Sequence, residues 1–129
     1  MIKRILFVDD EPDWRFMVAS YLKESGHEVL TARDKTEAMA TAGKATLDLM
    51  VIDLNLAGDS GLNLMPYLIE QHPGVPVILH TGMIHDEDAI NKMLNLGAYQ
   101  YLRKSSLNAL LKAVQDAPAP TPVQASAEN

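Results

Sequence analysis

The sequence has no cysteine, which excludes disulfides and thiolate metal sites. It also lacks any apolar run near the roughly 18 residues that a membrane helix needs. At the start, Lys3 and Arg4 precede the short apolar run Ile5 to Val8, as a secretory leader would begin. Asp9, Asp10 and Glu11 then interrupt the run, so a buried strand is expected there, and the cytoplasm is the expected compartment. Positive charge is scarce: 11 Lys and Arg stand against 17 Asp and Glu, a net charge of −6. Such a chain is a poor general nucleic-acid binder, because phosphate contacts supply most non-specific affinity; any DNA role would fall to another domain or partner. What is present is 129 residues, 47% of them hydrophobic, enough for one domain with a real core and too few for two ordinary ones.

Short apolar runs alternate with segments of helical period. Pro12 suits a first helical turn, and Trp14, Met17, Val18, Tyr21 and Leu22 then fall three and four apart, up to a C-capping Gly26. Glu28 to Ala32 reads as a strand. Asp34, with Glu37 three later, opens an Ala-rich second helix running to about Gly43. Leu47 to Leu54 is almost continuously apolar, as a strand covered on both faces would be. After a loop of small residues (Asn55 to Gly61), a third helix is expected to reach its first regular turn near Asn63, since Pro66 disfavours a helix interior. Val75 to His80 reads as a strand and Asp86 to Leu96 as a helix with acids in its first turn, ended by Gly97. Ala98 to Leu102 is a fifth strand, and Ser105 or Ser106 caps a last helix carrying Leu107, Leu110, Leu111 and Val114 on one face. Five β-α units in alternation predict an α/β fold, a doubly wound five-stranded parallel sheet with helices on both faces. The domain is expected over 1–116. Residues 117–129, rich in Pro and Ala, read as a flexible tail or a truncated linker.

In such sheets ligands bind beyond the carboxyl ends of the strands, at the switch in strand order. The first strand ends in Asp9 and Asp10, the third near Asp53, the fourth in His80 and Thr81, and the fifth in Tyr101, Leu102, Arg103 and Lys104. Two like charges about 4 Å apart repel by roughly 4 kcal/mol at an effective dielectric near 20, so three gathered carboxylates call for a cation. A small set of oxygen ligands suits Mg²⁺, which keeps several waters and completes its shell with a phosphate. Lys104 neutralises one carboxylate and pairs with a phosphoryl oxygen as a mobile point charge. A carboxylate also serves as a nucleophile, forming an aspartyl phosphate.

These residues carry a resemblance. Phe7-Val8-Asp9-Asp10-Glu11-Pro12, then Asp53-Leu54-Asn55-Leu56 with Gly61 eight after the aspartate, then Ile78-Leu79-His80-Thr81-Gly82, and Gly97-Ala98-Tyr99-Gln100-Tyr101-Leu102-Arg103-Lys104 follow in order at predicted strand ends. Over roughly residues 2–116 the chain resembles the receiver domain of bacterial two-component response regulators, a flavodoxin-like (βα)5 fold. The resemblance implies that Asp53 is the phosphoacceptor, that Asp10 binds Mg²⁺ directly and Asp9 through water, and that Asp53 and the backbone carbonyl of Asn55 complete the protein ligands. It implies that Thr81 is the switch hydroxyl, Lys104 the lysine that contacts the phosphoryl group, and Tyr101 the aromatic that turns inward when Thr81 moves. It further implies phosphoryl transfer from a sensor histidine kinase or phosphotransfer protein, with self-phosphorylation and slow autodephosphorylation rather than enzymatic turnover. The output would be a changed surface on the fourth helix, fifth strand and fifth helix, read by a downstream protein target or a fused effector domain, in a monomer or a phosphorylation-promoted dimer. Three positions depart from the family pattern. Ser105 stands where proline usually follows the lysine, Ala57 where proline is common after the phosphoacceptor, and Gly82 where alanine is usual after the hydroxyl.

Two other functions are open to such a chain. One is a receiver-like binding module that no longer uses phosphate. The other is an aspartate-nucleophile phosphatase, which wants a second Asp two residues after the nucleophile as general acid; Asn55 occupies that position and lacks the carboxyl. His27, His72, His80 and His85 show no shared ligand spacing, and His80 reads as structural. Trp14 is expected to pack or to lie near the site rim, and the methionines to fill the core.

Overall fold

Every residue from Leu49 to Asp53 is buried, which is what an unbroken apolar run requires of a central strand covered on both faces. In the computed structural model, which describes residues 2–56 and 58–122, this strand, β3 (Leu49–Asp53), lies at the centre of a five-stranded parallel sheet. The others are β1 (Arg4–Val8), β2 (Glu28–Ala32), β6 (Val77–Thr81) and β7 (Gln100–Arg103). The order β2-β1-β3-β6-β7 reverses between β1 and β3, the doubly wound arrangement expected from the alternation. Five helices cover the sheet: α1 (Pro12–Glu24), α2 (Lys35–Ala42), α3 (Gly61–Gln71), α4 (Glu87–Asn95) and α5 (Leu107–Asp116).

Side-chain alternation divides the core in two. Leu6, Val8, Met50, Ile52 and Leu79 face one way and pack with Ala38 and Ala42 of α2 and Leu64 and Leu68 of α3. Ile5, Phe7, Leu49, Val51 and Ile78 face the other way, against Val18 and Leu22 of α1 and Leu110 and Val114 of α5. Local chemistry sets the helix ends. The Asp34 side chain accepts from Glu37 N, Asp86 from Ala89 N, and Ser106, rather than Ser105, from Ala109 N. Gly26, at φ +97°, turns the chain out of α1.

Several expectations are corrected. Helix α3 begins at Gly61, two residues before Asn63, because the Ser60 hydroxyl caps it by accepting from Leu62 N. Pro66 therefore lies inside the helix. It sits on the exposed side, where solvent is at hand for the one carbonyl it leaves without a helical partner. The preceding loop is partly ordered as a two-stranded antiparallel hairpin, β4 (Asn55–Leu56) with β5 (Asp59–Ser60); Ala57, at its tip, lies outside the described residues. Strand β3 is shorter than its apolar run at both ends, and β6 and β7 each start two residues later and end one later than expected, at Thr81 and Arg103. Met17 and Met83 are exposed rather than core, while Ala19 takes the inward place on α1. The described backbone has no cis peptide bond, so Lys104–Ser105 is trans.

At the pole opposite the carboxyl ends of the strands, buried Lys3 donates from Nζ to the carbonyls of Val114 (2.5 Å) and Ala117 (2.6 Å), satisfying orphan acceptors at the end of α5. Beyond it, Thr121 N donates to Gly74 O at 2.8 Å. Of the segment read from sequence as a flexible tail or linker, residues 123–129 lie outside the described residues.

Candidate functional site

Register alone assembles the site. Val8 pairs with Ile52, so the next residues, Asp9 and Asp53, stand side by side. Asp53 pairs in turn with His80, and Thr81 with Arg103. Lys104 follows directly, its backbone N donating to Thr81 O at 2.7 Å. Residues far apart in sequence thus meet at one edge because the strands are parallel and in step.

Asp53 is 3% exposed. Its Oδ1 accepts from Asn55 N at 3.0 Å and its Oδ2 from Lys104 Nζ at 3.1 Å. Burial pushes its carboxyl up; the Asn55 N–H draws it back, the Asp9 charge adds to the rise, and Lys104 opposes it, leaving it raised to about 6. Burial alone would depress the Lys104 ammonium, but the Asp9 and Asp53 carboxylates outweigh it and hold its pKa above the usual lysine value. Nζ also lies 2.9 Å from Asp9 Oδ2 and 3.4 Å from Glu11 Oε1.

Asp9 is fully buried. Its Oδ1 accepts from Glu11 N at 2.9 Å. Its Oδ2 meets Lys104 only as a charge contact and has no aligned hydrogen-bond donor. A buried carboxylate oxygen left with a free lone pair is costly unless something else approaches it. Oxygens of Asp9, Asp10 and Asp53 all lie within 4.8 Å of one another. This oxygen-only set, with one oxygen short of a donor, fits a hard divalent cation.

The carboxylates open into a cavity of about 490 Å³ lined by Asp10, Glu11, Trp14, Asp53, Asn55, Gly82, Met83 and Lys104. Thr81, next in the chain to Gly82 of that lining, is fully buried, its hydroxyl accepting from Met83 N at 3.1 Å. A Cβ at Gly82 would meet Lys104 Cδ at 4.0 Å, an ordinary contact, so the departure from alanine gives the lysine stem slightly more room. Tyr101 is half-buried against the α3 side of the core. Its hydroxyl donates to Met83 O at 3.0 Å and lies 2.8 Å from His85 Nδ1. With the single hydroxyl hydrogen on Met83 O, the His85 nitrogen must be the donor of the second bond.

The structure thus gathers Asp9, Asp10, Asp53, Asn55, Thr81 and Lys104 at the carboxyl edge of the sheet and links Tyr101 to Thr81 through Met83. Sequence reasoning missed Glu11 as a third acid at Lys104. His80, read from the sequence as structural, is 1% exposed beneath the site between the Phe7 and Trp14 rings. Burial, helped by Lys104, lowers the His80 imidazole to about 4, so it is neutral at pH 7.

A sequence profile of the response regulator receiver domain matches residues 5–115. The nitrogen assimilation regulatory protein NtrX of Azorhizobium caulinodans is 36% identical over 106 residues, which are 81% of this chain and 23% of that protein. The probable transcriptional regulatory protein TcrX of Mycobacterium tuberculosis is 37% identical over 100 residues, 78% of this chain and 42% of that protein. The chain therefore spans less than half the length of either relative. Among solved structures, a response regulator of Burkholderia pseudomallei with a phosphorylated aspartic acid, calcium ion and citrate superposes with a TM-score of 0.80. The two are 30% identical, and the match covers 88% of this chain and 67% of that one. The chemotaxis protein CheY4 of Vibrio cholerae gives a TM-score of 0.81 at 30% identity, covering 89% of this chain and 98% of that one. With the profile spanning nearly all of the folded segment and relatives matching on both sequence and structure, this chain belongs to the response regulator receiver domain family of two-component signalling.

Proposed function

We propose that Asp53 is the phosphoacceptor of this receiver and that the phosphoryl group comes from the phosphohistidine of a sensor histidine kinase or phosphotransfer protein. The observation that carries this reading is the state of Asp53: a buried strand-end carboxylate, held by one backbone N–H and one ammonium, beside two further acids. A carboxylate oxygen of Asp53 attacks phosphorus, the P–N bond to imidazole breaks, and the imidazole leaves carrying the electron pair and takes up a proton. The Asn55 N–H and Lys104 orient the nucleophile. Lys104 then pairs with a phosphoryl oxygen, and the Thr81 hydroxyl turns to donate to another. Asp9, Asp10, Asp53 and the Asn55 carbonyl would hold Mg²⁺, which when bound offsets charge on the transferring phosphoryl group.

Thr81 and Tyr101 couple the site to the α4-β7-α5 surface. Movement of Thr81 frees Met83 N, and the Met83 carbonyl is the anchor of the Tyr101 hydroxyl. Phosphorylation biases this two-state element, and a downstream protein or a fused effector domain reads the surface. The module signals from the cytoplasm and, beyond loading and slowly clearing its own phosphate, turns over no substrate.

The test is incubation with Mg²⁺ and either acetyl phosphate or beryllofluoride. With acetyl phosphate, wild type is expected to gain one phosphoryl group by intact-mass measurement and Asp53→Asn none; beryllofluoride, which carries no phosphorus, is expected to bind at Asp53 as a phosphoryl mimic and change the spectrum of wild type but not of Asp53→Asn. No change with either reagent, with Asp53→Asn indistinguishable from wild type, would leave a phosphate-independent binding module. Rapid multiple turnovers of a phosphate monoester would point to a phosphatase instead. A second expectation follows from the raised Asp53 carboxyl: protons compete with Mg²⁺, so apparent Mg²⁺ affinity by calorimetry should fall about tenfold per pH unit once pH drops below the region of 6. Affinity that is flat between pH 5 and 7 would remove Asp53 from the metal shell.

A further inference from the structure

Lys104 follows β7 directly and carries its ammonium to the acids of the site, with Ser105 next in the chain. Its backbone is pinned by the bond to Thr81 O, but four rotatable carbons separate that bond from Nζ. Asp9, Asp53 and Glu11 pull on Nζ from the acid side. On the other side lies Trp14, with Nζ over its ring at 5.1 Å from the centroid. The ring is itself held: its neighbour His80 meets it edge-on at 5.7 Å and 84°, and His80 packs in turn against Phe7 at 6.1 Å. Trp14 also lines the cavity that contains Asp53.

We propose that Trp14 is a positioning residue for Lys104, a fixed aromatic shelf that holds the ammonium beside Asp53. The proposal rests on the phosphoacceptor reading of Asp53. The ring attracts the ammonium through its face without tying it to one carboxylate. Lys104 keeps that contact while it changes partner from the Asp53 carboxylate to a phosphoryl oxygen, a change the acids alone would resist. The Lys104 side chain is 7% exposed, and this water-poor setting strengthens its action on the phosphoryl group.

The test has two readouts. The first is the second-order rate of Asp53 phosphorylation by acetyl phosphate with saturating Mg²⁺. Trp14→Leu is expected to slow it about fivefold, the size of one moderate cation–π contact, and Trp14→Phe, which keeps a ring face, to recover most of the loss. In a Lys104→Met background, Trp14→Leu should have no further effect. A wild-type rate in Trp14→Leu, or the same fold-loss with and without Lys104, overturns the proposal. The second readout needs no phosphate. Trp14 is the sole tryptophan, so Lys104→Met should change the fluorescence of the unphosphorylated, metal-free protein, and an unchanged spectrum overturns the contact. If the spectrum changes but wild type takes no phosphoryl group, the shelf stands and the phosphoacceptor reading falls. Thermal melts of both Trp14 variants separate slowed chemistry from unfolding, and Trp14→Phe keeps the test open if Trp14→Leu does not fold.

Discussion

Gly61→Ala is expected to lower folding stability by about 3 kcal/mol, at the upper end of ordinary overpacking costs, and to impair phosphorylation of Asp53 with it. A Cβ at residue 61 would stand 2.1 Å from the Asp53 carbonyl oxygen, 2.9 Å from its carbonyl carbon and 3.0 Å from Ile52 Cγ2. The first two are backbone atoms, so no rotamer change relieves the clash. Either the end of β3 or the start of α3 must move. Both are tied down, since Gly61 N donates to Leu54 O at 2.9 Å and Ser60 caps the helix. Moving β3 displaces Asp53 itself and loosens the Asn55 N–H from its Oδ1. Gly61 is thus the residue that lets a helix start against the backbone of Asp53. Chemical denaturation and acetyl phosphate labelling check both halves. Gly82→Ala is the control: its Cβ meets only Lys104 Cδ at 4.0 Å, and it should stay within about 0.5 kcal/mol of wild type. Wild-type stability and labelling in Gly61→Ala would show that the close approach is not needed.

The same residue shows where sequence was informative. Asp9, Asp53, Thr81 and Lys104 were legible because each ends an apolar run. Parallel strands in doubly wound order bring run ends to one edge, whatever the loops between them do. The motif position of Gly61 was legible too, but its reason was not, because closeness to a carbonyl is a tertiary fact. The start of α3 was misplaced for a related cause. Pro66 signals against a helix interior, yet Ser60 and the short β4-β5 hairpin fix the chain earlier, and tertiary packing of Leu64, Met65 and Leu68 outweighs one lost backbone bond. Met17 fitted the helical stripe of α1 but sits 44% exposed, since the stripe is centred on Val18, Ala19 and Leu22. His80 read as a structural residue. Its isolation between two rings and below an ammonium follows from strand pairing, which no local pattern carries.

Lys104→Met is expected to have the largest combined effect: a loss of about 3 kcal/mol in metal-free stability at pH 7, as when one member of a buried charge set is removed, and about a hundredfold slower phosphorylation, as when one preorganised positive group leaves a transition state. Its side chain is 7% exposed and meets Asp9 at 2.9 Å and Asp53 at 3.1 Å. Without it, those carboxylates and Asp10 face one another uncompensated. The dependence on pH distinguishes this cause from lost packing. In wild type the Asp53 carboxyl is raised from 3.8 to about 6. A raised acid binds its proton more tightly folded than unfolded, so its ionisation removes stability as pH climbs from 3.8 through about 6. Removing Lys104 raises that carboxyl further, because the ammonium was holding it down. The deficit of Lys104→Met should therefore be full above neutrality and shrink as Asp53 takes its proton. His80 acts in the same direction, since it is depressed partly by Lys104 and becomes easier to protonate in the variant. Saturating Mg²⁺ should also restore much of the stability at pH 7, one cation replacing another among the acids, yet leave phosphorylation slow because the phosphoryl group still lacks its ammonium partner. Denaturation curves at pH 5 and pH 7.5, each with and without Mg²⁺, measure the stability changes, and acetyl phosphate labelling with saturating Mg²⁺ measures the rate. A deficit unmoved by either proton or metal would assign Lys104 to packing rather than to charge.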